Sequence, residues 1–307
     1  MVIDTETHVV YRVFPREFNN RPLIWGFTWH EFDGDLLVEE MDRAGVDKTF
    51  LISYDAEDIL WYLHSENGTA EDCIAGERYT RTFVDRYPDR FIWFATLKHP
   101  NRYDVKEKMR SDFADGAAGM KIFPAFLNLN VDGPELMDVF RFCIESNRRV
   151  ILSFEDTLPP TTPSVAGYWE QLDRVLTELP ELRVQINHAG AGANTDPTSD
   201  PLNAEAQIVF DVTNRHDNIL LSTAWLGKVW DDETEYPFPK YLSRLERLVK
   251  NCGVEKLMWA TDWPWLESFM KYPQAVDAIR LHADFMTEKE KAAFLGGNAE
   301  RFIAGVN

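Results

Sequence analysis

Short apolar runs alternate with longer amphipathic stretches almost from one end of the 307-residue chain to the other. A short apolar run bounded by turn signals predicts a buried strand, and apolar residues recurring at three and four positions predict one face of a helix. On this pattern strands are expected at Val2–Asp4, Lys48–Ser53, Arg90–Leu97, Gly119–Phe123, Arg149–Phe154, Leu182–His188, Ile219–Ser222 and Lys256–Asp262. Helices are expected between and after them, at Leu36–Ala44, Glu71–Arg86, Tyr103–Phe113, Glu135–Ser146, Trp169–Leu179, Ala204–Arg215, Leu242–Asn251 and Pro273–Phe285. Gly45 and Gly253 closely follow helical segments, and Pro88 and Pro180 close two others, as helix stops do. Eight strands each followed by a helix predict an α/β fold, the (β/α)8 or TIM barrel. It would form one domain over residues 1–307, with long βα loops and a C-terminal helical tail. An open doubly wound sheet is the competing architecture, but no GxGxxG run follows the first strand.

Two connections are long: Val10 to Asp35 after the first strand and Asp55 to Ala70 after the second. The first carries Phe14, Trp25, Phe27, Trp29 and His30, and the second carries Trp61. In a barrel such loops follow strand C-terminal ends and lie over the mouth, so they predict an aromatic lid or a subunit contact, with plain packing as the alternative.

Composition narrows the partners. An apolar content of 45% and ten Trp provide surface for a large core, which argues against disorder. Lys and Arg total 32 against 51 Asp and Glu, a formal charge of -19, and such a surface repels phosphate backbones and anionic headgroups. Nucleic acid and membrane surfaces are therefore not expected partners. No apolar run reaches the ~18 residues of a membrane span, and the N-terminus has no basic region followed by an apolar stretch. Cys73, Cys143 and Cys252 are far apart and show no CxxC spacing. They predict buried thiols in a reducing compartment, so a soluble, cytoplasmic protein is expected.

Candidate chemistry gathers at strand ends, where a barrel of this kind builds its sites. The first strand runs into Asp4-Thr5-Glu6-Thr7-His8, and strict alternation would send Asp4, Glu6 and His8 to one face and Thr5 and Thr7 to the other. Lys121 lies on the fourth strand, and Ser153 and Glu155 share a face of the fifth. The sixth ends in Asn187-His188-Ala189-Gly190 and the eighth in Ala260-Thr261-Asp262-Trp263-Pro264. Each has a bland alternative: a satisfied histidine, an aspartate opening a turn, a structural salt bridge through Lys121, a serine that only fills space. Together, oxygen and imidazole groups converging from strands one, six and eight suit Zn²⁺ or Mn²⁺ with an open coordination position.

The ordered set Ile3-Asp4-Thr5-Glu6-Thr7-His8, Asn187-His188-Ala189-Gly190, Thr261-Asp262-Trp263-Pro264 and Gly297-Asn298-Ala299-Glu300-Arg301-Phe302 resembles the amidohydrolase superfamily. The branch it resembles is the amidohydrolase-2 group, related to aminocarboxymuconate-semialdehyde decarboxylase and γ-resorcylate decarboxylase. The resemblance implies that Glu6 and His8 are metal ligands, Glu6 standing where the family usually has the first histidine of His-x-His. It also implies that Asp262 is a ligand that handles protons and that His188 acts beside the metal. The chain departs from the family at Ser153, where a ligating histidine is usual; Glu155 is then the candidate substitute ligand. Lys121 is expected to contact a substrate carboxylate, with Ser153 beside it, or to form a structural pair.

Two chemistries fit these residues. The Glu-x-His opening resembles non-oxidative decarboxylases acting on small aromatic or unsaturated carboxylic acids. Hydrolysis of a lactone or amide is the rival, and a non-catalytic binding barrel is the third possibility that the missing histidine leaves open. A small carboxylated molecule is the expected substrate, and the aromatic loops and the habits of the family imply a homo-oligomer.

Overall fold

A computed structural model of the protein describes residues 1–9, 32–53, 76–154, 163–191, 195–224, 226 and 235–306. Within them eight strands alternate with eight helices: β1 (Ile3–Thr7), α1 (Gly34–Ala44), β2 (Lys48–Ile52), α2 (Glu77–Arg86), β3 (Phe91–Thr96), α3 (Val105–Ala114), β4 (Gly119–Ile122), α4 (Pro134–Glu145), β5 (Arg149–Leu152), α5 (Val165–Glu178), β6 (Val184–Ile186), α6 (Ala204–Arg215), β7 (Ile219–Ser222), α7 (Pro239–Cys252), β8 (Leu257–Met258) and α8 (Tyr272–His282). A tail of α9 (Glu288–Ala292), one π-helical turn (Ala293–Gly297) and α10 (Asn298–Ile303) completes the chain. All strands are parallel and follow sequence order around the sheet. Backbone bonds between β1 and the segment after β8 close the ring: Thr5 N–H to Trp259 O at 3.1 Å, Asp262 N–H to Glu6 O at 2.8 Å and His8 N–H to Trp263 O at 2.7 Å. The expected (β/α)8 barrel with its helical tail is thus present.

β2, β3, β5, β7 and β8 each divide their apolar side chains between two regions, as period-two alternation requires. Val150, Leu152, Val184, Ile186, Ile219 and Leu221 pack in the large cluster shared with the helices. Ile3, Phe50, Ile52, Phe94, Ile151, Leu220 and Met258 form a second cluster inside the barrel, which Ala299 and Phe302 of α10 join. The Arg149 guanidinium fastens that helix by donating to Phe302 O and Ala304 O, each at 2.5 Å. The floor of the barrel is therefore filled with hydrocarbon, and chemistry is confined to the opposite end. Phe302→Ala is expected to destabilise the fold by about 3–5 kcal/mol, because the rigid floor cannot collapse onto the void. Urea unfolding checks this, and a loss below about 1 kcal/mol would contradict the packing role.

Local chemistry sets the helix boundaries. Asp33 caps α1 by accepting from Leu36 N–H at 2.8 Å, and Gly45 ends it in the left-handed region at φ 64°. Ser164 accepts from Gly167 N–H, so α5 starts at Val165 and not at Trp169. Cys143 is buried and Cys252 half-buried, and burial pushes both thiols up to about 12, as inert structural cysteines require. Cys73, residues 71–75 of the helix expected over Glu71–Arg86, the aromatic residues of the two long connections and Glu155 lie outside the described residues.

Candidate metal centre

The register of β1 against β2 pairs Asp4 with Thr49 but Thr7 with Leu51. Two residues of β1, Thr5 and Glu6, thus oppose the single residue Phe50, a β-bulge. The bulge overturns the expectation that Asp4 and Glu6 share a face. Asp4 turns toward the helix layer, where Tyr272 of α8 donates to its Oδ2 at 3.0 Å, while Glu6 enters the barrel. Ladder bonding is lost locally, and Gln185 on β6 reaches across to donate to Thr5 O at 2.9 Å.

Glu6 is 1% exposed and is surrounded by donors from three strand ends. Lys121 Nζ lies 3.3 Å from Oε1, Ser222 Oγ donates to Oε2 at 3.2 Å, and Asn187 Nδ2 donates to Oε1. Burial alone would raise the Glu6 pKa, but the Lys121 ammonium and then His188 outweigh it and hold the carboxyl at about 2. Lys121 also donates to Ser153 Oγ at 2.7 Å. Ser153, in the position where the resemblance implies a ligating histidine, accepts a hydrogen bond from an ammonium.

His8 donates from Nδ1 to Ile52 O at 3.0 Å, because a carbonyl oxygen can only accept. That bond leaves Nε2 as the lone-pair nitrogen of the neutral ring, facing Asp262 Oδ1 at 3.0 Å. Two lone pairs at that distance repel unless a proton or a cation lies between them. The backbone-fixed tautomer is also how ligating histidines are oriented. Ligand atoms of Glu6, His8 and Asp262 lie within 4.8 Å of one another, and all three residues are buried. Two carboxylates and one imidazole with a fixed tautomer fit a divalent cation of the Zn²⁺ or Mn²⁺ kind, with room for further ligands.

Asp262 stands in the left-handed region at φ 55°, four residues beyond the end of β8. The strand expected over Lys256–Asp262 is cut to Leu257–Met258 because its later donors leave the ladder. Trp259 N–H bonds Phe294 O, and Thr261 N–H bonds the Asp4 carboxylate. β6 likewise stops at Ile186, and the chain turns left-handed through His188, Ala189 and Gly190, at φ 56°, 51° and 63°. Such backbone costs about 1–2 kcal/mol per non-glycine residue, and neighbours hold it in place. Trp169 donates to Gly190 O at 3.2 Å, and a Cβ on Gly190 would lie 2.2 Å from its Cζ2. The turn brings His188 Nε2 to 3.6 Å from Glu6 Oε1 and 3.8 Å from Asp262 Oδ2. At 23% side-chain exposure, against 10% for Asp262 and 2% for Glu6, His188 is the most accessible of the three.

The structure therefore gathers Glu6, His8, His188, Asp262, Lys121 and Ser153 at one end of the barrel. Asn187, Ser222 and Gln185 join the same network and had no assigned role in the sequence. Their signal is a polar residue closing or interrupting an otherwise apolar strand, as in Ile219-Leu220-Leu221-Ser222.

Burial raises the Asp4 carboxyl to about 7 despite the lowering effect of its hydrogen bonds to Thr261, Glu6 N–H and Tyr272. Folded Asp4 holds its proton more tightly than the unfolded chain does, so its contribution to stability is complete below the ordinary value of 3.8 and is lost as pH rises through about 7. Glu6, held at about 2, is ionised in both states above its ordinary range and adds no slope there. Wild-type urea midpoints are expected to fall relative to those of Asp4→Asn between about pH 5 and about pH 8. Parallel pH dependences would contradict the assignment.

Solved structures share this fold. A probable 2-pyrone-4,6-dicarboxylic acid hydrolase from Acinetobacter baumannii with citric acid bound is 19% identical at a TM-score of 0.64, with 98% of each chain covered. An amidohydrolase from Burkholderia multivorans with bound zinc is 12% identical at a TM-score of 0.69, with 99% of each covered. A 2,6-dihydroxybenzoate decarboxylase in complex with 2,6-dihydroxybenzoate is 16% identical at a TM-score of 0.63, with 98% of each covered. No curated protein matches the chain by sequence. The family model described as Amidohydrolase matches residues 3–304, essentially the whole barrel with its β1, β6 and β8 strand ends, and the chain belongs to that family of enzymes.

Proposed function

We propose that the protein is a divalent-cation-dependent carboxy-lyase that removes carbon dioxide, without oxidation, from a small aromatic or unsaturated carboxylic acid. The observation that carries this reading is the buried convergence of Glu6, His8 and Asp262 within 4.8 Å, next to the buried Lys121 ammonium. Glu6, His8 and Asp262 would hold Zn²⁺ or Mn²⁺, and Glu155 is the remaining candidate ligand. A bound cation supplies Lewis-acid polarisation of a substrate oxygen.

The side chains divide the remaining work. Asp262, next to His8, gives a proton to the carbon that bears the carboxylate. The bond from that carbon to the carboxyl carbon then breaks, its electron pair restores the unsaturated system, and carbon dioxide leaves. His188, from the accessible side, stabilises developing negative charge or passes a proton to Asp262. Lys121 keeps Glu6 ionised and, with Ser153, draws the substrate carboxylate toward the floor of the site. The convergence of two carboxylates and an imidazole within 4.8 Å, a set of metal-ligand types, favours this reading over a non-catalytic barrel.

Hydrolysis of a lactone is the second reading. Asp262 would then act as a base on water, and the likeness to a probable pyrone hydrolase favours it. The separating experiment offers hydroxylated benzoates and pyrone carboxylates in D₂O. Release of carbon dioxide with deuterium at the vacated carbon supports decarboxylation; stoichiometric water addition without carbon dioxide supports hydrolysis and overturns the first reading. No helix among the described residues is long and apolar enough to cross a membrane. A cytoplasmic homo-oligomer completes the proposal, and light scattering with cell fractionation tests it.

A further inference from the structure

Asp4 belongs to none of the roles above, yet its carboxylate is fully buried and accepts four hydrogen bonds. Their distribution is informative. A single oxygen, Oδ1, receives Glu6 N–H at 3.1 Å and Thr261 N–H at 3.0 Å. The other, Oδ2, receives the hydroxyls of Thr261 at 2.5 Å and Tyr272 at 3.0 Å. Glu6 is itself a candidate ligand, and Thr261 immediately precedes another, Asp262.

The two backbone groups would otherwise be orphaned. The β1 bulge takes Glu6 N–H away from the ladder, and in an uninterrupted ladder Thr261 N–H would bond Thr5 O, which Gln185 occupies. Buried N–H groups without an acceptor cost about 1–3 kcal/mol each, so the segments would shift to find one. Thr261 Oγ1 further accepts from Trp263 N–H at 3.1 Å, and Asp262 N–H bonds Glu6 O at 2.8 Å. Asp4 thereby clamps both sides of the left-handed Asp262 residue to the Glu6 bulge.

We propose that Asp4 is a positioning residue whose Oδ1 joins the Glu6 and Thr261 backbones and so sets the spacing of the Glu6 and Asp262 carboxylates for a divalent cation. The inference rests on the reading that Glu6, His8 and Asp262 hold that cation, but its chemistry concerns a residue that touches neither cation nor substrate. An asparagine keeps one acceptor oxygen for the two N–H groups, and its amide can donate to hydroxyls that rotate to accept. An alanine supplies neither.

The test compares wild type, Asp4→Ala, Asp4→Asn and Tyr272→Phe. Zn²⁺ and Mn²⁺ affinities are measured by competition with a chromophoric chelator, and amide hydrogen exchange is followed over residues 4–9 and 259–265. Asp4→Ala is expected to bind Zn²⁺ about 10–100-fold more weakly and to lose protection at Glu6 and Thr261. Asp4→Asn and Tyr272→Phe, which spare the Oδ1 bridge, are expected to stay within a few-fold of wild type with protection retained. Asp4→Ser, too short to span both groups, replaces the alanine variant if that chain does not fold, with the same expected loss. A folded Asp4→Ala or Asp4→Ser protein with unchanged exchange and affinity would overturn the proposal, as would an Asp4→Asn protein that loses both. A wild type that binds neither cation overturns the cation reading alone, and the exchange pattern then decides whether Asp4 joins the two segments.

Discussion

Asp262→Asn is expected to lower kcat by about 10²–10⁴-fold, the range a positioned proton donor contributes, while leaving the fold intact. Asparagine preserves the size of the side chain, and the backbone bonds that hold the left-handed residue, Asp262 N–H to Glu6 O and Trp265 N–H to Asp262 O, do not involve the carboxylate. What changes is the partner of His8. An amide cannot carry a transferable proton, and it is a poorer ligand than a carboxylate. Steady-state kinetics with a thermal melt separate the possibilities. Lost turnover with a melting temperature near wild type supports the assigned role, and full activity removes Asp262 from the mechanism.

Lys121→Met is expected to damage the folded state as severely as removal of a large core side chain. Lys121 and Glu6 are 1% and 2% exposed at the side chain and 3.3 Å apart. Removing the ammonium leaves a buried carboxylate whose strongest electrostatic support is gone, and deleting one partner of a buried pair costs about 3–5 kcal/mol. The Glu6 pKa then rises from about 2, because burial is no longer outweighed by the ammonium. Stability of the variant should recover toward that of wild type as pH drops below the neutral range, because a Glu6 with a raised pKa takes up a proton in the folded state, whereas wild-type Glu6, held at about 2, loses its contribution as pH falls below its ordinary value of 4.5. Urea unfolding over a pH series checks both parts, and a variant within about 1 kcal/mol of wild type would show that the pair is not load-sharing.

The barrel was legible in the sequence because parallel strands buried on both faces read as apolar runs and crossover helices read as amphipathic ones. The boundaries that moved did so for reasons no periodicity carries. β8 shrank to Leu257–Met258 because Thr261 N–H bonds a side chain from the far end of the chain, and β6 stopped before His188 because of a left-handed turn clamped by Trp169. The convergence of Glu6, His8, His188 and Asp262 was legible because catalytic groups in this fold sit at strand C-terminal ends. The face of Asp4 was not, since a one-residue bulge reverses alternation without any mark in composition. Asn187 and Ser222 were overlooked because one uncharged polar residue at a strand end is also what a plain turn uses. Lys121 forms the structural pair that was one of its two expected roles, with Glu6, and its hydrogen bond to Ser153 depends on the register of β4 against β5.

The most direct measurement is anomalous diffraction from crystals of the protein grown with Zn²⁺ and, separately, Mn²⁺. The account predicts one peak per chain, within coordination distance of Glu6, His8 and Asp262, that disappears in His8→Ala. A protein that crystallises with these three side chains unmoved and no anomalous peak between them, or with its peak elsewhere, would contradict it.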